Sequence, residues 1–281
     1  ANLVTSDLTR SIPYSSYSLQ FDGAGDNVGV SDSSVLKPST ITVSMWVKGG
    51  NQSTFAYFLS KYYTGGGTAY GFYTGATTDK IAFTMRKGDD SGWVTTAFST
   101  VMDENWHNVI GTFDGTNVKL YVDGILTSTV ASGVTGITYG SGDLTIGAFL
   151  GNGTLHVNAE LSNISIFSSA LTEDQILTIY NGGVPNDISS LSPVGWWSFA
   201  GDSYYNGSNF ILPDLSGNNN NGTSFNMAGT ELIGDGPGST ANGVATSMNI
   251  PGNLKGNAPN SSKNAFSVNM NSADRVTSVP G

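Results

Sequence analysis

Short stretches in which apolar and polar residues alternate one by one, each closed by an Asp-Gly or glycine-rich turn, constrain this chain more than any other feature. Ile41-Thr42-Val43-Ser44-Met45-Trp46-Val47 alternates up to its tryptophan, and Lys80-Ile81-Ala82-Phe83-Thr84-Met85 and Asn117-Val118-Lys119-Leu120-Tyr121-Val122 repeat the pattern. A period of two puts every second side chain on one face, so each segment predicts a strand with a core on one side. Asp123-Gly124 supplies a tight hairpin turn before Ile125-Leu126, and Asp114-Gly115 plays the same part after Gly111-Thr112-Phe113. One segment breaks the rhythm. Thr172-Glu173-Asp174-Gln175 fits a capping box, Ile176, Ile179 and Tyr180 fall on one face, and Gly182-Gly183 stops the run. The expectation is an all-β chain with one short helix covering an edge.

Composition narrows the function classes. The 281 residues include no cysteine, so the core must hold without disulfides or thiolate metal sites, which leans towards a bacterial or phage source. With a formal net charge of −10 and eleven scattered Lys and Arg, no basic patch is expected for nucleic acid or an anionic membrane. No apolar run reaches the roughly 20 residues that span a bilayer. Apolar residues make up 38% of the chain, enough to fill a core rather than a disordered segment.

The tail carries an internal repeat. Gly222-Thr-Ser-Phe-Asn-Met227, Ala245-Thr-Ser-Met-Asn-Ile250 and Ala265-Phe-Ser-Val-Asn-Met270 share one template of small, any, Ser, apolar, Asn, apolar. Each reads as a strand closed later by Pro237, Pro259 or Pro280, which makes 239–281 an extended arm with Met248, Ile250, Phe266, Val268 and Met270 as its assembly contacts. The alternative is a Gly/Asn-rich linker whose likenesses come from biased composition. The organisation expected is an N-terminal extension (1–16), a sandwich (17–182), a linker with late strands completing it (183–238), and the arm (239–281).

Several segments together resemble the laminin G-like, concanavalin A-like jelly rolls. Tyr17-Ser-Leu-Gln-Phe-Asp-Gly-Ala-Gly-Asp-Asn-Val28 is similar to that family's opening strand, and Ile41–Val47 to its Trp-bearing strand. Asn105-Trp106-His107, Gly111-Thr-Phe-Asp-Gly115 and Val118–Gly124 follow in family order. Leu144–Gly147 and Leu161–Ile176 resemble its closing strand and helix. The resemblance implies an antiparallel β-sandwich. One departure stands out: the family's early Trp-x-Phe strand and Asp-x-Ser-Gly-Asn turn have lookalikes here in Trp197-Ser-Phe199 and Asp214–Gly222, after the helix. That is either a circularly rearranged sandwich or a second, truncated copy.

Catalytic chemistry is poorly supplied. The four glutamates, Glu104, Glu160, Glu173 and Glu231, form no pair spaced along one strand for glycoside hydrolysis. The two histidines, His107 and His156, stand beside no nucleophile motif. Calcium is the cofactor expected, held by Asp22 and Asp26 in one turn and Asp214 and Asn218 in another, should the two turns approach each other. The alternative makes these residues Asx-turn braces. A glycan site is expected on loop tips at Tyr62, Tyr63, Tyr70 and Trp93, with Tyr73 as a further candidate.

Rearranged jelly rolls trailed by such repeats look like virion proteins of marine and freshwater bacteriophages. The function expected on that resemblance is a non-enzymatic virion structural protein, a capsid decoration or fibre component on the virion surface. It would assemble with other virion proteins or with itself, as a trimer or larger homo-oligomer, and bind a cell-surface glycan. The alternative is an extracellular, lectin-like carbohydrate-binding module secreted by a bacterium.

Overall fold

The computed structural model describes residues 17–237 apart from 53–54, 64–65, 77, 150–154 and 200–202, together with 8–9 and 267–268. Strands are numbered in chain order. One sheet runs β12 (Ile125–Ala131), β11 (Asn117–Val122), β10 (His107–Phe113), β4 (Ile41–Lys48), β14 (Asn158–Phe167), β2 (Ser18–Asp22) and β19 (Leu232–Ile233), with β15 (Gly195–Trp197) also on β14. The other runs β16 (Tyr204–Tyr205), β17 (Phe210–Leu212), β18 (Gly222–Phe225), β3 (Asn27–Val30), β13 (Leu144–Ile146), β5 (Tyr57–Tyr62), β6 (Thr68–Thr74), β7 (Lys80–Arg86) and β8 (Trp93–Thr95), with β9 (Ser99–Thr100) also on β7. All these pairings are antiparallel, for example Tyr70 with Met85 and Val109 with Met45. A separate pair joins β1 (Leu8–Thr9) to β20 (Ser267–Val268). Of the predicted arm contacts, Met248, Ile250, Phe266 and Met270 lie outside the described residues; Val268 falls in β20, and its side chain is likewise outside the description.

The alternating segments face each other across one core. Val43, Met45, Val47, Ile81, Phe83, Met85, Val118 and Leu120 are all buried in it. Gly111 lets the sheets close: a Cβ there would sit 2.2 Å from Cγ of Phe83 on the opposite sheet. Two packed antiparallel sheets make this a β-sandwich.

The helix α1 (Glu173–Tyr180) opens on the predicted capping box. Gln175 N–H donates to Thr172 Oγ1 at 3.3 Å, and Thr172 N–H to Gln175 Oε1 at 2.9 Å. The left-handed residue that ends it is Asn181, at φ 44°, ahead of the two glycines. The helix covers a face, not an edge. Ile176 and Ile179 pack with Ile110, Tyr121, Phe167 and Trp196, the outward side chains of the first sheet, while Tyr180 stacks on Trp46 at 6.0 Å.

The late segment adds strands to both sheets. Trp197 of β15 pairs with Ile164 of β14, and Gly222–Phe225 of β18 with Val30–Asn27 of β3. The first copy of the tail repeat is therefore a sheet strand, and its template has local causes. Gly222 admits Val28, whose Cγ1 would lie 2.8 Å from a Cβ at that position. Ser224 Oγ accepts the Phe210 N–H at 2.8 Å, and Met227 is buried in the core.

His107 pins the β11–β12 hairpin. Its Nδ1 lies 2.7 Å from Asp123 Oδ2 and its Nε2 3.1 Å from Asp103 Oδ1, while Asp123 Oδ1 accepts the Asn108 N–H. The hydrogen bond to Asp123, and then the charges of Asp123 and Asp103, raise the imidazole pKa against the opposing effect of burial. A raised value means the folded state favours the imidazolium. Its contribution is fully present below the unfolded value of about 6.5 and is lost as pH rises through the folded value. Urea denaturation from pH 5.5 to 8.5 should show stability falling by about 1 kcal/mol across that window. The fall should be absent in His107→Gln; an unchanged pH profile in that variant would assign it elsewhere.

Candidate functional site

At one end of the second sheet the turn between β7 and β8 lifts side chains off the outer face. Ile81, Phe83 and Met85 point into the core, so the strand's alternation turns Arg86 outward, directly opposite Trp93 on β8. The turn is drawn tight by Lys87 N–H donating to Gly92 O and Asp90 N–H to Lys87 O, both at 2.9 Å. Asp90 adopts φ 62°, which swings its carboxylate back over the strand end.

The Arg86 guanidinium is held between two aromatic rings and by Asp90. Its carbon lies 4.5 Å from the Tyr63 ring centre and 4.3 Å from that of Trp93, so the cation is clamped between two aromatic faces. Arg86 Nε donates to Asp90 Oδ1, and Tyr63 Oη donates to Asp90 Oδ2 at 3.1 Å. The ion pair raises the Arg86 pKa and, with Arg86 its largest cause, lowers that of Asp90. Asp89 is lowered chiefly by the Ser91 hydroxyl and N–H that it accepts. Trp93 Nε1 donates to Thr68 O at 2.8 Å, and its ring rests on Gly67, where a Cβ would lie 2.3 Å from Cζ2. Trp93 is nevertheless 45% exposed. The result is a firmly held indole beside the Arg86–Asp90 ion pair and the Tyr63 phenol.

Of the expected glycan residues, Tyr63 and Trp93 come together here and the others do not. Tyr70 is a core residue, fully buried, with its Oη donating to Leu36 O at 3.0 Å. Tyr62 packs edge-on to Phe149 at 6.0 Å. Phe149 leads on through Tyr57 at 5.0 Å to Tyr73 at 5.3 Å and Phe98 at 5.5 Å, a chain of half-buried rings that pack on one another. Arg86 and Asp90 were missed by the sequence reading. The signal was there: Arg86 ends an alternating strand at an outward position, two residues past Thr84.

A family model described as the concanavalin A-like lectin/glucanases superfamily matches residues 22–177. The chain belongs to this family. Among solved structures, this laminin G-like sandwich is similar to a candidate carbohydrate binding protein from Bacteroides ovatus ATCC 8483. The TM-score there is 0.62 at 16% identity, over 79% of this chain and 61% of that one. The chain thus spans less than two thirds of that protein. Weaker likenesses are to the binding domain of botulinum neurotoxin serotype G (TM-score 0.45, 13% identity, 55% of this chain and 40% of that one) and to a heptameric SAP-like pentraxin from Limulus polyphemus (0.45, 14%, 60% and 84%). No curated protein matches the sequence.

The two turns expected to share calcium lie at opposite ends of β14. Asp22 pairs with Asn158, whereas Asp214 Oδ1 accepts the N–H of Trp196, which pairs with Ser165. Seven residues of strand separate them, roughly 20 Å. The Asp214 carboxylate is occupied by the N–H groups of Trp196, Ser216 and Asn220 and by Asn220 Nδ2. Asn218 Nδ2 donates to Val194 O. At the other turn, Asp26 Oδ2 accepts the Asp22 N–H at 3.0 Å, and burial pushes the Asp26 pKa up to about 6. Among the described residues no group of three or more His, Asp and Glu side chains is arranged to hold a metal ion. Asp214→Ala strands buried donors and should cost about 2–4 kcal/mol in denaturant unfolding. The loss should be equal in calcium and in EDTA; a calcium-dependent loss would restore Asp214 as a ligand.

Proposed function

We propose that the chain is a non-enzymatic glycan-binding module whose ligand stacks on Trp93. The observation that carries this is the clamp of Arg86 between Tyr63 and Trp93, which fixes a half-exposed indole at the end of the Lys87–Gly92 turn. Aromatic rings offer an apolar face to the C–H side of a sugar, and a rigid ring loses little entropy when it is covered. The exposed turn beside the ring carries Asp89 and Asp90, carboxylates of the kind that accept hydrogen bonds from sugar hydroxyls. Family membership supports the reading, as does the occupation of the acids: Glu160 faces Lys48 at 3.4 Å, and Glu173 starts the helix.

Titrating the full chain against a panel of soluble neutral and uronic-acid polysaccharides tests this, by affinity electrophoresis and calorimetry. Trp93→Ala should weaken binding at least about tenfold while leaving the thermal midpoint almost unchanged. Arg86→Lys should give an intermediate loss, because an ammonium keeps the charge but not the planar stack. Binding unaltered in Trp93→Ala, or none by wild type across the panel, would end the proposal. Repeating the titration in calcium and in EDTA asks whether the Asp22–Asp26 turn contributes a cation; equal affinities remove calcium from it.

A second reading, a phage virion component that displays this module, is favoured by the tail. The first repeat copy is a sheet strand, and the third pairs as β20 with β1, so the template forms strands in two places. Strands of this kind can add to a neighbouring subunit. Deleting 239–281 should then abolish any assembly seen by light scattering of the full chain; assembly that survives the deletion removes the arm from that role.

A further inference from the structure

We infer that the Trp93 site takes uncharged glycans and turns away anionic ones, such as uronic-acid or sulfated polymers. The inference rests on the glycan reading above and names the class of sugar. An anionic sugar is ordinarily gripped by a guanidinium fork, whose paired N–H groups match a carboxylate or sulfate. Among the described residues Arg86 is the only arginine, and no part of its fork is open. Its Nε donates to Asp90 Oδ1 and its Nη2 to Asp90 O at 3.4 Å, both faces lie against rings, and Nη1 is buried. The Arg86 side chain is only 11% exposed. A sugar carboxylate arriving at the indole therefore finds the cation already spent on Asp90.

The charges that the turn presents to solvent are acidic. Asp89 is exposed, and the Asp90 side chain is 48% exposed. Ser91 holds the first and Arg86 the second below the usual carboxylate range, so both are ionised at neutral pH. Lys87 shares the turn, and its charge already acts on Asp89. Elsewhere Lys37 and Lys61 are paired with Asp32, and Lys48 with Asp235. The indole adds to the bias, because the face of an aromatic ring is the negative part of its quadrupole. The chain as a whole carries −10, and a polyanion that approaches it is repelled. Sugar hydroxyls meet the opposite case, since an ionised carboxylate forms short, charge-assisted hydrogen bonds with O–H donors.

Calorimetry and affinity electrophoresis of the full chain test this, with polymers in pairs that share a backbone and differ in charge. A neutral polymer that binds is oxidised at C6 from hydroxymethyl to carboxylate, and an acidic one that binds is carboxyl-reduced. The anionic member should bind at least about tenfold more weakly at about 0.02 M salt, and the gap should shrink towards about 0.5 M as the repulsion is screened. Asp89→Asn keeps an acceptor oxygen for Ser91 and removes the charge, so it should narrow the ratio about threefold. The ratio is taken within each variant, so a loss of stability in Asp89→Asn cancels. An anionic member that binds as well as its neutral partner, a gap that salt leaves unaltered, or an unchanged ratio in Asp89→Asn would each overturn the inference and leave the glycan reading standing. Binding to no polymer at all removes that reading, and this inference with it.

Discussion

The hydrogen-bonding edge of β14 is the constraint from which the rest of the fold follows. β4 pairs with it along one side from Glu160 to Phe167. On the other side β2 reaches only Asn158–Leu161, and a buried strand cannot leave the remaining N–H and C=O groups unpaired. β15 takes Ile164–Ile166, after the irregularity between Ser162 and Ser165. One edge is thus completed by residues 18–22 and residues 195–197, and the chain must return past the helix to do it. The Asp214 turn is the brace of that return. Its carboxylate ties Trp196 to Ser216 and Asn220, and Asn220 O accepts the buried Trp197 indole at 2.8 Å.

Much of this was legible in the sequence because strand period and turn chemistry are local. The alternating segments became β4, β7 and β11, Asp114 and Asp123 became turn residues, and the Thr172 box opened the helix. What the sequence did not convey was which surface an element meets. The helix was expected on an edge; the structure gives its apolar face to Ile110 and Tyr121, whose outward positions on β10 and β11 require a cover. Asp22 and Asp214 were grouped by the resemblance of their turns, and only the pairing along β14 sets the distance between them.

The tyrosines illustrate the same limit within a single strand. Had Thr68–Thr74 been taken as a strand, alternation would have put Tyr70 with Phe72 on the core face and Tyr73 on the other. Tyr70 was instead expected on a loop tip with the other candidate aromatics. Arg86 was overlooked for a related reason. A charge at the end of an apolar strand reads as a terminator, whereas its value here comes from Tyr63 and Trp93, twenty-three residues before it and seven after.

The position of the site is itself a consequence of what the rest of the surface is doing. The first sheet's outer face is closed by α1 and Trp196. On the second sheet Tyr62, Phe149, Tyr57, Tyr73 and Phe98 pack on one another, and beneath them Ser60 and Thr84 are buried although their strands turn them outward. An aromatic that is to meet a ligand must keep a face free without collapsing onto such neighbours. Trp93 achieves this because its own contacts are with a cation, a backbone carbonyl and a glycine. These hold the ring firmly and leave its remaining surface to the solvent.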